Sequence, residues 1–100
     1  MKDLEKLQKL LAKIPQNMIT TYGILAKEMG LPRAKRYVGW LLHRNPDPGK
    51  YPCYKVVMSN GELGGYAEGI KKKIRRLRRD GIIIKDGRVE DFNDCVFDKF

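Results

Sequence analysis

What most constrains this chain is a pair of short amphipathic segments broken by Gly30-Leu31-Pro32. Thr20 or Thr21 can cap a helix that buries Ile24, Leu25 and Met29, and Gly30 suits the left-handed position at which such a helix ends. Pro32 turns the chain. From Arg33 to Arg44 a second helix then gathers Ala34, Tyr37, Val38, Leu41 and Leu42 on one side. Helix, short turn and helix make a helix-turn-helix. On the other side of the second helix Arg33, Arg36, Trp40, His43 and Arg44 project together, at roughly 100° per residue. That stripe is either a face for a nucleic-acid groove or a solvated polar face. Trp40 favours the groove, because an exposed indole without a partner is unusual.

The remaining segments fit around this unit. Leu4, Leu7, Leu10, Leu11 and Ile14 recur at helical spacing, and Pro15 ends that first helix. Asn45-Pro46-Asp47-Pro48-Gly49 forces a bent, extended connection that delivers Pro52-Cys53. Val56-Val57-Met58 and Leu63 flank Asn60-Gly61, which predicts a β-hairpin with a type I′ turn and hence a wing. Gly64 to Gly69 form a glycine-rich loop, and Ile70, Ile74 and Leu77 mark one face of a last helix whose other faces are basic. Those basic faces are either solvated or in contact with phosphates. Asp86-Gly87 signals a second hairpin, after which Phe92, Val96, Phe97 and Phe100 fold the tail back onto the body. The expected class is mainly α with small β-hairpins, a winged helix-turn-helix in a single domain over residues 1–100, with 81–100 as a C-terminal hairpin and acidic tail.

Charge narrows the partner. Lys and Arg number 21 against 12 Asp and Glu, a net charge of +9, which draws phosphate backbones or an anionic lipid surface at long range. Residues 1–79 carry 18 basic and 6 acidic side chains, whereas residues 80–100 carry 3 and 6, so the anion-binding surface precedes Asp80. No apolar run approaches a membrane span and the first residues lack a signal-peptide pattern, so the expectation is a soluble, monomeric, cytoplasmic and nucleoid-associated protein. The two cysteines, Cys53 and Cys95, have no CxxC spacing and accompany a single His. That argues against a zinc site or a disulfide framework, and no cofactor or metal is expected.

Cys53 follows a proline on an irregular loop and is read either as a nucleophile or as a buried structural cysteine. Its surroundings carry a resemblance. Thr21-Tyr22-Gly23-Ile24-Leu25-Ala26, Arg36-Tyr37-Val38-Gly39, Arg44-Asn45-Pro46, Pro52-Cys53-Tyr54-Lys55-Val56-Val57 and Gly61-Glu62-Leu63-Gly64-Gly65-Tyr66 occur in order. The segment from about Ile14 to Gly81 resembles the DNA-binding domain of the O6-alkylguanine-DNA alkyltransferases, a family that includes the alkyltransferase-like proteins. The resemblance implies that Cys53 accepts the alkyl group, that Arg36 is the finger entering the duplex where the base leaves, and that Tyr22 assists rotation of the nucleotide and donates a proton. It also places Asn45 at the turn into the active-site loop, Gly64, Gly65 and Tyr66 on the pocket wall, and Lys73 near the active site. Arg33, Trp40, Arg44 and Lys55 would complete the DNA contacts.

The sequence departs from the family pattern at four positions. Tyr54 stands where the family has His in a proton-accepting network, Asp80 where it has Glu, Lys55 where it has Arg, and Trp40 where it tends to have a small residue. Tyrosine, with a reference pKa of about 10, is a poor base at neutral pH. Larger members of the family also carry a preceding domain that this sequence does not include. Two functions follow from the resemblance. One is single-turnover alkyl transfer from O6-alkylguanine in double-stranded DNA to Cys53. The other is a non-catalytic lesion sensor that hands the damage to nucleotide excision repair proteins. A winged-helix regulator that reads sequence is a third class.

Overall fold

A computed structural model describes residues 2–100. Helix α1 spans Lys2–Leu11 and buries Leu7, Leu10 and Leu11. It stops before the predicted end at Ile14. The amides of Lys13 and Ile14 donate to the carbonyls of Leu10 and Leu11 in tight turns, as expected where Pro15 disfavours helical backbone in the residue before it. Strand β1, Thr20–Thr21, leads directly into α2, Tyr22–Glu28, whose first turn is capped by Thr21 Oγ1 accepting from the Ile24 amide at 3.1 Å. At the other end Gly30 takes a φ of 77°, and the Leu31 amide donates back to Ala26 at 2.8 Å.

Helix α3 runs Lys35–Leu42, shorter than the predicted 33–44 at both ends. Arg33 belongs to the turn and His43 is the cap residue. A single 3₁₀ turn, Cys53–Lys55, precedes strand β2, Val56–Val57; α4 covers Ile70–Arg79 and α5 covers Phe92–Cys95.

The class expected from sequence holds: a mainly helical domain with small strand pairs. One hairpin is corrected. Val56–Val57 pair in parallel with Thr20–Thr21, and not with Leu63 across Asn60-Gly61. The turn itself is present, since the Gly61 amide donates to Met58 at 2.9 Å and the Met58 amide to Glu62 at 2.8 Å. It is not type I′, because Gly61 has positive φ and Asn60 does not. The second hairpin forms as predicted. Strands β3, Ile84–Lys85, and β4, Arg88–Val89, pair antiparallel across Asp86 (φ 53°) and Gly87 (φ 74°).

The β1–β2 pair separates two apolar clusters. Val56 packs with Leu7, Leu11, Leu25, Val38 and Leu41, whereas Val57 packs with Ile19, Leu63, Leu77, Ile82 and Ile84, as the alternation of a strand dictates. The tail closes the body as expected. The Ile19 amide donates to the Cys95 carbonyl at 2.9 Å, the Phe97 amide donates to the Ile19 carbonyl at 2.7 Å, and Thr20 Oγ1 donates to the Phe97 carbonyl.

Candidate functional site

Tyr22 opens α2 and lies against the glycine-rich loop. At Gly64 φ is +71°, and a Cβ built there would sit 2.9 Å from the Tyr22 hydroxyl. Glycine is therefore required for the ring to seat. The Tyr22 hydroxyl donates to the Gly65 carbonyl at 3.4 Å. Between α3 and this loop opens a largely apolar cavity of about 340 Å³, walled by Tyr22, Lys35, Arg36, Gly39, His43 and Gly64. Next to it is a crevice of about 20 Å³ faced by Tyr22, Gly39, His43, Cys53, Gly65 and Tyr66. Arg36 and Cys53 thus stand on neighbouring hollows that share Tyr22, Gly39, His43 and Gly65.

Cys53 is 7% exposed. Its amide donates to the Tyr51 carbonyl at 2.7 Å, and Asn45 Nδ2 donates to the same oxygen at 2.7 Å, so Asn45 clamps the loop that carries the thiol. Burial pushes the Cys53 thiol above its ordinary pKa; a hydrogen bond from Asn45 and the charge of Lys73 pull the other way, and Glu68 adds to the rise. Tyr22 is raised by burial, then by Cys53. Tyr66 donates to Glu68 at 3.0 Å, and Glu68 is held by Lys72 and Arg76, which fixes that wall of the crevice to α4.

Behind the thiol Tyr54 donates to Asp80 at 3.0 Å, and its pKa is pushed up to about 12 by burial and by that hydrogen bond. Asp80 also pairs with Lys55 at 3.0 Å. Neither Tyr54 nor Asp80 lines either hollow. Lys55 corrects the expectation of a DNA contact: its side chain is buried, with Nζ donating to the Pro15 carbonyl at 3.0 Å besides the Asp80 pair. Lys73 is fully buried beneath the loop, where Nζ donates to the carbonyls of Val56 at 2.7 Å, Leu63, and Gly65 at 3.0 Å. Burial lowers its pKa to about 8. It braces the site from below and lines neither hollow.

The basic stripe of α3 divides. Arg36 and His43 face the cavity, joined by Lys35 and Gly39. Trp40 and Arg44 are exposed and line neither hollow: the Arg44 guanidinium lies 3.9 Å from the Trp40 ring centre, Tyr37 stacks on Trp40, and Tyr37 donates to Asp3 of α1. Arg33 is exposed in the turn before α3 and borders neither hollow. Sequence reasoning missed Lys35, Met58 and Ser59 as cavity walls. A cue existed only for Met58, an apolar residue beside a turn, and it is 41% exposed. Among the described residues no group of His, Cys, Asp or Glu is placed to hold a metal ion.

A helix-turn-helix that presents an arginine beside a shielded cysteine defines a nucleic-acid-binding domain with a thiol site. Residues 4–82 match the family described as 6-O-methylguanine DNA methyltransferase, DNA binding domain, and the chain belongs to that family. A bifunctional methyltransferase/endonuclease of Picrophilus torridus is 55% identical over 84% of the chain, which spans only 28% of that relative's length. Mycobacterium tuberculosis OGT, solved in complex with DNA, superposes with a TM-score of 0.78 at 32% identity, covering 81% of this chain and 49% of that one. S. pombe Atl1, solved with damaged DNA containing O6-carboxymethylguanine, superposes with a TM-score of 0.84 over 96% of this chain and 94% of its own; at 21% identity it establishes the shared fold.

Proposed function

We propose that this chain binds duplex DNA through α3, turns an O6-alkylguanine out of the stack and takes the alkyl group onto Cys53 in a single turnover. The observation that carries this reading is the placement of Cys53 on a crevice adjoining the Arg36-walled cavity, with Tyr22 facing both. A volume of about 340 Å³ lies within the range of small-molecule sites, and its walls are largely apolar, as a flat base requires. Arg36, exposed on α3, is placed to fill the gap that the extruded nucleotide leaves, offsetting an unstacking cost of a few kcal/mol. We take residues 1–100 as one alkyltransferase-type unit acting on DNA in the cytoplasm.

The chemistry is a displacement at carbon. A sulfur lone pair forms the S–C bond, the C–O6 bond breaks with its electrons kept by guanine, and guanine gains a proton. Tyr22 is the donor for that proton, and its raised pKa keeps it protonated at neutral pH. The thiol proton must leave before or during attack. Tyr54 already donates to Asp80 and has a pKa near 12, so it does not accept that proton. Incubation with an O6-methylguanine oligonucleotide is expected to add the mass of one methyl group to the wild-type chain and none to Cys53→Ala. An unmodified wild type at saturating oligonucleotide would sink this reading.

A second reading is favoured by one feature: the raised thiol pKa of Cys53, which lowers the population of attacking thiolate. It is a lesion sensor that flips the base, holds it, and recruits nucleotide excision repair proteins. Preference for lesion DNA would then persist in Cys53→Ala and fall in Arg36→Ala and Tyr22→Phe.

A further inference from the structure

Alkyl transfer to Cys53 needs somewhere for the thiol proton to go, and the tyrosine that follows the cysteine does not provide it. The chain contains a single histidine, His43. It caps the C-terminal end of α3, its amide donating to the Gly39 carbonyl at 3.2 Å, and it lines both the 20 Å³ crevice that Cys53 faces and the larger cavity beside it. A space of that size holds one water molecule, and proton transfer through one intervening water is competent for general base catalysis.

We propose that His43 is the proton acceptor for the Cys53 thiol, acting through one water in the crevice. The proposal rests on the alkyl-transfer reading and supplies its missing step. The S–H proton passes to the water as the water gives a proton to the imidazole, leaving thiolate and imidazolium. Sulfur then attacks the alkyl carbon, the C–O6 electron pair stays with guanine, and Tyr22 protonates the base. Tyr22 regains a proton from solvent and the imidazolium releases its own there. The titratable and charged groups nearby are Tyr22 from α2 and Tyr66 from the glycine-rich loop on the crevice itself, Lys35 and Arg36 from α3 on the adjoining cavity, and Glu68 and Lys73, whose charges act on the thiol. The two lysines and Arg36 are cations beside the pair and do not accept the proton.

The test reads the thiol without DNA. Iodoacetamide alkylation of Cys53, followed across pH 5.5 to 9.5 by mass spectrometry of its peptide, separates it from Cys95. His43 is exposed, so His43→Gln is expected to fold as wild type, which circular dichroism checks. The variant should lose at least about tenfold in Cys53 alkylation rate at neutral pH, with its profile displaced upward by about one unit or more. Coincident profiles in wild type and His43→Gln overturn the proposal. Methyl transfer from the lesion oligonucleotide is measured in parallel. A displaced alkylation profile with no methyl transfer by wild type leaves the His43–Cys53 pairing standing and removes the transfer reading. Methyl transfer with coincident profiles does the reverse.

Discussion

Replacing Lys73 by Met tests whether one buried ammonium holds the active-site loop. The ammonium donates to three carbonyls, those of Val56, Leu63 and Gly65, which belong to β2, the segment after the turn, and the loop that walls the crevice. Methionine fills much of the same volume but donates nothing. Three buried carbonyls then lose a partner, at about 1 to 3 kcal/mol each, while the cost of desolvating a cation disappears. The balance is a destabilisation of about 3 kcal/mol, or on the order of 15 °C in Tm for a domain of this size. The pH dependence adds a second signature. Burial lowers the Lys73 pKa to about 8 in the fold, against a reference of about 10.4 in an unfolded chain. Between those values the unfolded chain binds more protons, so the contribution of Lys73 to stability rises with pH in that window and is flat below it. Urea unfolding of wild type and Lys73→Met at pH 7, 8, 9 and 10, each in a Cys53→Ala background because the Lys73 charge acts on that thiol, isolates this slope as the difference between the two series, in which the raised Cys95 and tyrosines cancel. The difference curve should fall in favour of Met at pH 7 relative to pH 10. Equal stability of the two proteins, or a difference that does not change with pH, would refute the reasoning.

Gly64→Ala should cost about 1 to 3 kcal/mol in chemical denaturation, since the new methyl meets the Tyr22 hydroxyl at 2.9 Å on a backbone with φ of +71°; it should also weaken lesion binding more than Gly65→Ala, where a Cβ meets nothing within 4 Å. Asp80→Ala leaves the buried Lys55 ammonium with only the Pro15 carbonyl and should destabilise by about 3 kcal/mol, partly restored by adding Lys55→Met. Arg36→Ala should leave stability within about 0.5 kcal/mol, because the side chain is exposed, and abolish the preference for O6-methylguanine duplex over undamaged duplex in a fluorescence-anisotropy titration. Loss of stability without loss of preference would remove Arg36 from its assigned role.

The parts of the fold that are legible in the sequence have local causes. Thr21 caps α2, Gly30 ends it, and Asp86-Gly87 turns a hairpin through its own backbone. The pairing of Val56–Val57 with Thr20–Thr21 has no local cause, because the partners are distant in sequence and only the packed helices bring them together. A hairpin is the nearest pairing the sequence can announce, and Asn60-Gly61 announced one that the strand does not use. The burial of Lys55 and Lys73 is not legible in the sequence for a related reason. A lysine is almost never buried unless its charge is paired or hydrogen-bonded, and the partners here are one carboxylate and four carbonyls whose convergence is a property of the fold. Sequence periodicity likewise put Trp40 and Arg44 on one face with Arg36. The Tyr37–Trp40 stack and the Arg44 guanidinium over the Trp40 ring stand outside the cavity that Arg36 lines.

The same convergence decides how reactive the thiol can be. Cys53 is shielded enough that burial dominates its pKa, and a shielded thiol is slow to ionise without an acceptor nearby. Shielding also suits the proposed displacement at an alkyl carbon, since a crevice with room for one relay water keeps bulk water from competing with sulfur or weakening a hydrogen bond from Tyr22 to the leaving base. A site with both properties works only if proton removal is supplied from its rim. The residues that share the crevice with Cys53 are uncharged or phenolic except for one imidazole at the end of α3. Tyr22 and Tyr66, with pKa values raised by burial, are donors at neutral pH. On the alkyl-transfer proposal, the division of labour on this rim follows from side-chain chemistry: phenols would give protons to the base, and the imidazole would take one from sulfur.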